Sequence, residues 1–174
     1  MLDRDGVINR ESDAFIKHPA EWLPMPGSLE AITELFRHGY RIIVITNQSG
    51  ISRGLLNLET LENIHRKMRE AAERCGAKID AVYFCPHGPD DACDCRKPKP
   101  GLLRQFASEY QISLENIPFI GDSYRDIQAG LAAGARPFLV KTGKGRRTLA
   151  AHPEISVPIF ENLYDAAQFI ISGQ

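Results

Sequence analysis

Five apolar segments alternate along this chain with five segments whose apolar residues recur at helical spacing. The apolar segments cover residues 41–46, 79–84, 117–120, 137–140 and 157–160. The helical segments cover residues 28–37, 58–74, 102–110, 124–133 and 163–171. Alternating strands and helices favour a parallel sheet with helices on both faces, and continuous apolar runs are typical of strands covered on both sides. The pattern therefore predicts an α/β fold with a Rossmann-like, doubly wound parallel sheet.

Length and charge limit the classes of function. At 174 residues the chain fits one domain, residues 1–174, with a core of its own. Its 21 basic and 22 acidic residues give a net charge of −1, which argues against a nucleic-acid binder. We see no membrane-length apolar stretch, no secretion signal and no exposed apolar helix stripe. We therefore expect a cytoplasmic protein, by default a monomer, that binds neither nucleic acid nor membranes.

Two aspartates, Asp3 and Asp5, lie near the start of the chain. Side chains two positions apart on an extended backbone point to the same side, and Gly6 allows a sharp turn after them. One carboxylate could attack phosphorus while the other transfers a proton; a solvated turn is the alternative reading. Only Met1 and Leu2 precede Asp3, whereas a typical strand has about 5–6 residues. Either the start of the chain is missing or the fold tolerates a very short first strand.

Further carboxylates follow the apolar segment 117–120, at Asp122 and Asp126. In parallel sheets of this kind, ligands bind beyond the carboxyl ends of the strands. Carboxylates brought together there repel one another unless a cation holds them, and hard oxygen ligands suit Mg²⁺. A helix cap is the simpler explanation of a Gly-Asp pair after a strand, but the combination with Asp3 and Asp5 favours a magnesium site.

Polar and basic residues that could hold a phosphate lie in two other segments. Thr46 and residues 47–50 end the clearest apolar segment, and a hydroxyl with backbone N–H groups at a strand end can bind phosphate. Arg96, Lys97 and Lys99 offer three cations, and a lysine beside a phosphoryl group neutralises its charge. A polar loop and a solvated basic turn are the respective alternatives.

Three cysteines and a histidine form a Cys-x-His pair and a Cys-x-Cys pair separated by five residues: Cys85, His87, Cys93 and Cys95. They supply three sulfurs and one nitrogen, a complete tetrahedral set for Zn²⁺ that leaves no position for water. We therefore predict a structural zinc in a loop at residues 85–95. A disulfide with a free thiol is the alternative, which the expected cytoplasmic setting disfavours. A fixed loop would also fix Arg96 and Lys97, which follow the last ligand.

The other notable residues receive structural assignments. The histidines without a partner at ligand spacing are expected on the surface or at helix caps: His18, His38, His65 and His152. We expect Cys75 to be a small buried residue, and Trp22 to hold its loop against the core. The basic residues 141–147 are read as a loop, facing either phosphate or solvent.

The quoted residues occur in the order of the four motifs of the haloacid dehalogenase superfamily, and the resemblance spans the chain. Asp3-x-Asp5-Gly6 gives the first motif, Thr46 the second, Lys97 the third, and Gly121-Asp122 with Asp126 the fourth. Residues 2–9, 46–54 and 95–98 resemble, more narrowly, the D-glycero-D-manno-heptose-1,7-bisphosphate 7-phosphatases. The related histidinol-phosphate phosphatases share the zinc loop.

The resemblance implies a magnesium-dependent phosphatase without a large cap domain. Asp3 would be the nucleophile and a Mg²⁺ ligand, and Asp5 the general acid and base, with its backbone carbonyl also on the metal. Thr46 and Lys97 would hold the phosphoryl oxygens, and Asp122 would complete the magnesium site. Roles for the remaining residues follow in the same way.

For substrate binding, the resemblance and the segment's position imply Asn47 and Gln48, with Arg53 and Arg96 for a second phosphate. Asp126 would orient its neighbours. The implied reaction removes the 7-phosphate of heptose 1,7-bisphosphate, through an aspartyl phosphate, in nucleotide-heptose and lipopolysaccharide core precursor synthesis. A histidinol-phosphate phosphatase is the alternative within the family. A phospho-accepting signalling domain and a zinc-dependent nucleic-acid binder are alternatives from other classes; a second aspartate beside the nucleophile and the zinc loop argue against the former.

Overall fold

Strands and helices alternate along the computed structural model, which describes residues 1–173. A 3-10 helix at Pro19–Glu21 comes first. The helices are α1 (Ser28–Arg37), α2 (Leu58–Arg74), α3 (Gly101–Tyr110), α4 (Tyr124–Ala133), α5 (Gly145–Ala151) and α6 (Leu163–Ile171). The strands are β1 (Ile43–Asn47), β2 (Ala81–Cys85), β3 (Pro118–Gly121), β4 (Arg136–Val140) and β5 (Ile159–Phe160). Every predicted strand and helix corresponds to an observed element.

The five strands form two groups that pair in parallel. In the first group β1 pairs with β2, with Thr46 opposite Phe84. In the second group β3 pairs with β4 and β4 with β5. All of these pairings are parallel, as the alternation of strands and helices predicts.

Residues 1–3 join the two groups into one sheet. Leu2 forms parallel bridges to Val44 of β1 and to Ile120 of β3. Its N–H donates to the Ile43 carbonyl at 2.8 Å, and the Asp3 N–H donates to the Ile120 carbonyl at 2.8 Å. The strand order is therefore β2, β1, residues 1–3, β3, β4 and β5. Residues 1–3 thus occupy the central position of the sheet, and Asp3 stands at their carboxyl end.

Helices cover both faces of this sheet. Ile43 and Ile45 of β1 point into the core beneath α3 and α4, whereas Val44 points into the core beneath α1, α2 and α6. Met1 and Leu2 alternate in the same way, Met1 toward α3 and α4 and Leu2 toward the other side. This alternation gives the doubly wound arrangement. It needs apolar residues on both faces, which is why the strands read as continuous apolar runs.

The connection from Asn9 to Pro26 covers one side of the sheet's carboxyl edge in place of a cap domain. Trp22 within it is only 1% exposed, and the Lys67 ammonium donates to the carbonyls of Pro19 and Trp22 at 2.6 and 2.9 Å. The prediction that Trp22 holds this loop against the core is confirmed. Within residues 1–173, no helix has both the length and the apolar character needed to cross a membrane.

Three sequence-based predictions are wrong. Residues 145–151 form α5 rather than a loop. Cys75 is exposed, because α2 ends at Arg74 and Gly76 turns the chain away with a φ of 82°. His65 is buried at 1% exposure, since it lies on the stripe of α2 that faces the core. His18, His38 and His152 have the expected surface or capping positions.

Candidate active site

A cavity of about 290 Å³ opens at the carboxyl ends of the central strands. Residues 1–3 end in it with Asp3, β1 with Thr46 and Asn47, and β3 is followed there by Asp122. The other predicted site residues that line it are Asp5, Gln48, Arg53, Arg96, Lys97 and Asp126. The structure thus brings together the predicted residues outside the cysteine cluster, with the exception of Lys99.

Three buried carboxylates meet around one lysine. Oxygen atoms of Asp3, Asp122 and Asp126 lie within 4.8 Å of one another. The Lys97 ammonium lies 2.9 Å from Asp3 Oδ1 and 2.6 Å from Asp126 Oδ1, and it also donates to the Ile45 carbonyl at 2.9 Å. One ammonium faces three acidic side chains, so the cluster lacks positive charge.

The pKa values reflect this missing charge. Burial, and then the nearby Asp126 carboxylate, raise the pKa of Asp3 to about 7 against the partial compensation by Lys97. Burial, and then Asp126 and Asp3, raise the pKa of Asp122 well above its usual value. Carboxylates with raised pKa values gain most from a cation that lets them ionise together. The oxygen donor set and its open side toward the cavity fit Mg²⁺, which keeps several waters and takes a substrate oxygen.

Two glycines let the chain approach Asp122 closely. Gly6 and Gly143 have φ values of 80° and 55°, in the region that favours glycine. A Cβ at Gly6 would lie 1.9 Å from Asp122 Oδ2, and one at Gly143 would lie 2.2 Å from it. The Lys144 N–H donates to the same oxygen at 2.8 Å. One oxygen of Asp122 is therefore held by backbone from the far end of the chain.

Asp5 has a different environment, rich in hydrogen-bond donors. Arg4 donates from Nε and Nη2 to Asp5 at 3.0 to 3.2 Å. Asn9 Nδ2 donates to Oδ1 at 2.8 Å, and Gln48 Nε2 donates to Oδ2 at 2.9 Å. Burial alone would raise the pKa of Asp5, but Arg4, Asn9 and Gln48 outweigh it and lower that pKa. The protein itself satisfies this carboxylate.

The amides of Asn47 and Gln48 are both used inside the protein. Asn47 Nδ2 donates to the Lys97 carbonyl at 3.0 Å, and the Lys97 N–H donates back to Asn47 Oδ1 at 3.1 Å. Gln48 donates to Asp5 and to Thr46 Oγ1, the latter at 3.0 Å. Asn47 thus fixes the backbone that carries Lys97, and Gln48 links Asp5 to Thr46. These contacts hold the Lys97 backbone and the side chains of Asp5 and Thr46 in place.

Three arginines of the cavity lining lie close enough to one another for their charges to interact. Arg53 and Arg96 lie there as expected, together with Arg125, which the sequence analysis did not single out. Burial, and then the nearby Arg125, lower the pKa of Arg96. Lys99, by contrast, turns away from the cavity and donates to the Cys93 carbonyl at 2.7 Å. Arginines held together in this way form a site for an anion.

The four predicted zinc ligands converge beside the cavity. Cys85 Sγ lies 3.6 Å from His87 Nδ1, 3.8 Å from Cys93 Sγ and 3.1 Å from Cys95 Sγ. Zinc–sulfur bonds of about 2.3 Å put tetrahedral sulfurs roughly 3.8 Å apart, a spacing that Cys85 and Cys93 match, whereas Cys85 and Cys95 lie closer. The converging donor set is compatible with Zn²⁺. All of these cysteines are free, and the disulfide alternative finds no support. Arg96 Nη1 donates to the His87 carbonyl at 3.0 Å, which ties the loop to the cavity wall.

Several residues of the site escaped the sequence analysis. Arg4 was treated as a spacer between the two aspartates, yet it is 1% exposed. Arg125 and Lys144 line the cavity, and Lys144 pairs with Glu11 across its mouth. A charged residue inside a motif was the one available signal for Arg4. Arg125 lies within the fourth motif and Lys144 within the basic segment 141–147, but which of these cations reach the cavity depends on the fold.

The fold and the site together define a class of protein. A family model described as HAD-hydrolase-like matches residues 94–166, which include Lys97, Asp122 and Asp126. A putative HAD-like phosphatase from Mesorhizobium loti, at 30% identity, superposes with a TM-score of 0.81 and covers 98% of this chain and 82% of its own. The chain has the haloacid dehalogenase-like fold of a phosphatase, without a large cap.

Similar proteins narrow the class to one family. The D-glycero-β-D-manno-heptose-1,7-bisphosphate 7-phosphatase of Pseudomonas putida is 52% identical over 171 residues, which cover 98% of each chain. That of Pseudomonas aeruginosa is 48% identical over 98% of this chain and 96% of its own. A crystal structure of the D,D-heptose 1,7-bisphosphate phosphatase of B. bronchiseptica, complexed with magnesium and phosphate, shares 46% identity, with a TM-score of 0.97 and coverage of 99% and 97%. The chain belongs to the D-glycero-β-D-manno-heptose-1,7-bisphosphate 7-phosphatase family.

Proposed function

We propose that this chain removes the 7-phosphate of D-glycero-β-D-manno-heptose 1,7-bisphosphate through an aspartyl phosphate on Asp3. The observation that carries the proposal is the buried carboxylate cluster, in which Asp3 ends the central strand, meets Asp122 and contacts Lys97. The relatives' shared substrate name supports the choice of sugar and of the β anomer. The reaction would serve nucleotide-heptose and lipopolysaccharide core precursor synthesis.

In the first half of the reaction, one oxygen of Asp3 attacks phosphorus. Lys97 neutralises charge that gathers on the phosphoryl oxygens, and Thr46 can donate its hydroxyl hydrogen to one of them because Gln48 occupies only its acceptor side. Asp3, Asp122 and the backbone carbonyl of Asp5 would hold Mg²⁺. When bound, the metal supplies charge neutralisation between nucleophile and phosphate.

Asp5 would serve both halves of the reaction. A phosphate dianion entering the cavity raises the pKa of Asp5, so the residue can carry the proton that the leaving sugar oxygen needs. Once the sugar has left, Asp5 accepts a proton from the water that attacks the aspartyl phosphate. Its side chain lies outside the carboxylate cluster, which suits proton transfer rather than metal binding.

The second phosphate of the substrate would be held by Arg53 and Arg96, with Arg125 as a further cation. Three arginines in the cavity lining suit a second anion. A free carboxylate at the mouth would instead favour the amine of histidinol phosphate. Glu11 is at the mouth, but it is paired with Lys144, so we favour the bisphosphate.

We also propose that Cys85, His87, Cys93 and Cys95 bind a structural Zn²⁺. The support is the convergence of their donor atoms and the absence of any position for water in a complete tetrahedral set. The metal would fix the loop that leads directly to Arg96 and Lys97. Metal analysis of protein purified without added metal, compared with a Cys93→Ser variant, tests this assignment.

We further propose that the chain works in the cytoplasm as a monomer and a single domain, residues 1–174. The support for the cytoplasm is that none of the four cysteines forms a disulfide, as is usual in a reducing compartment. Sedimentation equilibrium at several protein concentrations tests whether the protein is a monomer in solution. A mass that rises with concentration would contradict it.

The experiment that tests the activity is phosphate release in the presence of Mg²⁺ from three substrates. These are both anomers of heptose 1,7-bisphosphate and histidinol phosphate, with Asp3→Asn as the control. We expect the β anomer to turn over fastest and the control to lose at least about 10³-fold. Preference for histidinol phosphate would overturn the substrate while keeping the mechanism. Activity that persists in Asp3→Asn would overturn the nucleophile.

A further inference from the structure

Two fully buried polar side chains, Arg4 and His65, have no part in the mechanism above. Each is 1% exposed. Arg4 stands between the two proposed catalytic aspartates, and His65 is on the buried stripe of α2. Burying a polar group without a hydrogen-bond partner destabilises the folded protein, so buried polar side chains are normally hydrogen-bonded. Their contacts therefore carry information about what they do.

The contact between them has a defined polarity. Arg4 Nη1 lies 3.3 Å from His65 Nε2. A guanidinium can only donate, so Nε2 must be the acceptor and the ring proton must be on Nδ1. Burial, and then the charge of Arg4, lower the pKa of His65 to about 3. The ring is therefore neutral and able to accept at any physiological pH.

The other side of the Arg4 guanidinium faces Asp5. Nε and Nη2 donate to the carboxylate, and Nη2 also donates to Gln48 Oε1 at 3.1 Å. Arg4 lies at a bend of the chain, and its side chain reaches Asp5, Gln48 and His65 from there. A long arginine side chain loses rotamer entropy when it is fixed. A fixed acceptor on α2 keeps it in this one orientation.

We propose that His65 is a positioning residue for Asp5: it accepts a hydrogen bond from Arg4 and so fixes the guanidinium that holds the Asp5 carboxylate. The inference rests on the proposed role of Asp5 as general acid and base. A set of contacts running from a helix of the core to the reacting carboxylate differs from simple filling of space. If His65 only filled space in the core, any residue of similar volume could replace it without loss of turnover.

The first test compares two substitutions of His65. In His65→Gln, the amide oxygen can take the place of Nε2 as the acceptor, whereas His65→Leu fills the space without an acceptor. We expect His65→Leu to lower kcat for heptose bisphosphate about 10-fold with KM within about twofold. We expect His65→Gln to stay within about threefold of the unsubstituted protein. His65→Asn is too short to reach Arg4 and should behave like His65→Leu, which keeps the test available if the leucine variant does not fold.

The second test separates positioning from loss of stability through the leaving group. Nitrophenolate leaves without a proton, so the burst of nitrophenolate from p-nitrophenyl phosphate depends on Asp3 and not on the acid role of Asp5. We expect the burst rate of His65→Leu to stay within about twofold while its turnover falls, as in Asp5→Asn. Ile64→Ala, in the apolar core of the same helix, is the matched control. Ile64→Ala should lower the melting temperature, but it should not lower turnover selectively relative to the burst rate.

Two results would overturn the inference. Equal kcat in His65→Leu and His65→Gln would show that the acceptor is irrelevant. A burst that falls in parallel with turnover would show that His65 is only structural. Undiminished turnover in Asp5→Asn would instead contradict the proposed role of Asp5. The Asp5→Asn variant therefore distinguishes a failure of the proposed function from a failure of the His65 inference.

Discussion

Asp3 and Asp5 are two residues apart and line the same cavity, yet their surroundings are opposite. Asp3 lies among other carboxylates and contacts the Lys97 ammonium, and its pKa is raised to about 7. Asp5 receives hydrogen bonds from Arg4, Asn9 and Gln48, and its pKa is lowered. The cluster around Asp3 lacks positive charge, which a bound cation could supply. The Asp5 carboxylate already has hydrogen-bond donors from the protein.

This difference supports the two proposed roles independently of any relative. A carboxylate short of positive charge is suited to a metal and to a phosphoryl group brought with it. A carboxylate held by fixed donors keeps its position while it gains and loses a proton. Titratable neighbours whose pKa values are pushed apart are the usual sign of separate acid–base roles. The following predictions test the comparison, beginning with the largest effect.

Replacing Asp5 by asparagine should lower turnover of the sugar bisphosphate by about 10²–10⁴-fold. The amide keeps the shape of the side chain but cannot transfer a proton. With p-nitrophenyl phosphate, the first half of the reaction should continue and phosphorylated protein should accumulate, detected by intact mass. If unmodified protein is recovered from the Asp5→Asn reaction while the burst remains, water attack does not depend on Asp5 and the comparison fails.

Removing a zinc ligand should disturb the Asp3 cluster and spare the Asp5 pocket. In Cys93→Ser we expect zinc to be lost, the melting temperature to fall by roughly 6–12 °C, equivalent to about 3 kcal/mol, and kcat to fall about 10-fold or more. The reason is that Lys97 follows the loop directly.

Cys75→Ser is the matched control, because Cys75 is exposed and lies outside the zinc cluster. It should leave zinc content, melting temperature and kcat unchanged. A Cys93→Ser protein that lost its zinc but kept normal kcat would show that the loop does not position Lys97.

Asn47→Ala should lower kcat about 10-fold and change KM little, because Asn47 exchanges two hydrogen bonds with the backbone of Lys97. Arg53→Ala should do the reverse and raise KM with a smaller effect on kcat, since a second phosphate is bound equally before and during reaction. Steady-state kinetics on the bisphosphate measure both. A rise in KM alone for Asn47→Ala would favour direct substrate binding, as the sequence analysis implied.

Stabilisation by magnesium should grow as pH rises from 6 to 8. In the metal-free fold Asp3 keeps its proton up to a pKa of about 7, whereas the unfolded chain loses it near 3.8. The free energy of unfolding of metal-free protein therefore falls as pH rises toward 7 and then levels off. Mg²⁺ must displace this proton, so it binds more weakly at low pH.

Melting curves with and without a fixed Mg²⁺ concentration measure this effect, which we expect to be a few degrees. Asp122→Asn should reduce the magnesium-dependent shift at every pH. An equal shift at pH 6 and pH 8 would mean that Asp3 is already ionised in the metal-free protein.

Much of the fold was predictable because the local pattern of apolar residues indicates most of the helices and strands. The four helices α1, α2, α4 and α6 begin and end at the predicted residues, since their apolar stripes have clear ends. Helix α5 begins with Gly145 and two arginines, and its short buried face gives no readable period. The motif order predicted the family, which the comparisons confirm, whereas the roles of the individual aspartates remain predictions.

The less predictable part of the site is the set of groups that hold the catalytic residues. Arg4 and His65 contact each other across 61 positions of sequence, and neither has a local pattern that indicates the other. In retrospect, His65 lies one position after Ile64 on the buried stripe of α2, so its burial was readable. Its partner was not, because the pairing depends on how α2 packs against the loop after residues 1–3.

Residues 1–3 pair with both groups of strands, so the completion of the sheet depends on contacts between distant parts of the chain. The bridge from Leu2 to Val44 spans 42 positions, and that from Leu2 to Ile120 spans 118. Loop-closure entropy makes such distant pairings late ones, after local helices and the pairing of β3 with β4. We expect the nucleophile to reach its place only when both groups of strands have formed. A partly folded chain would then contain most of the sheet and none of the activity.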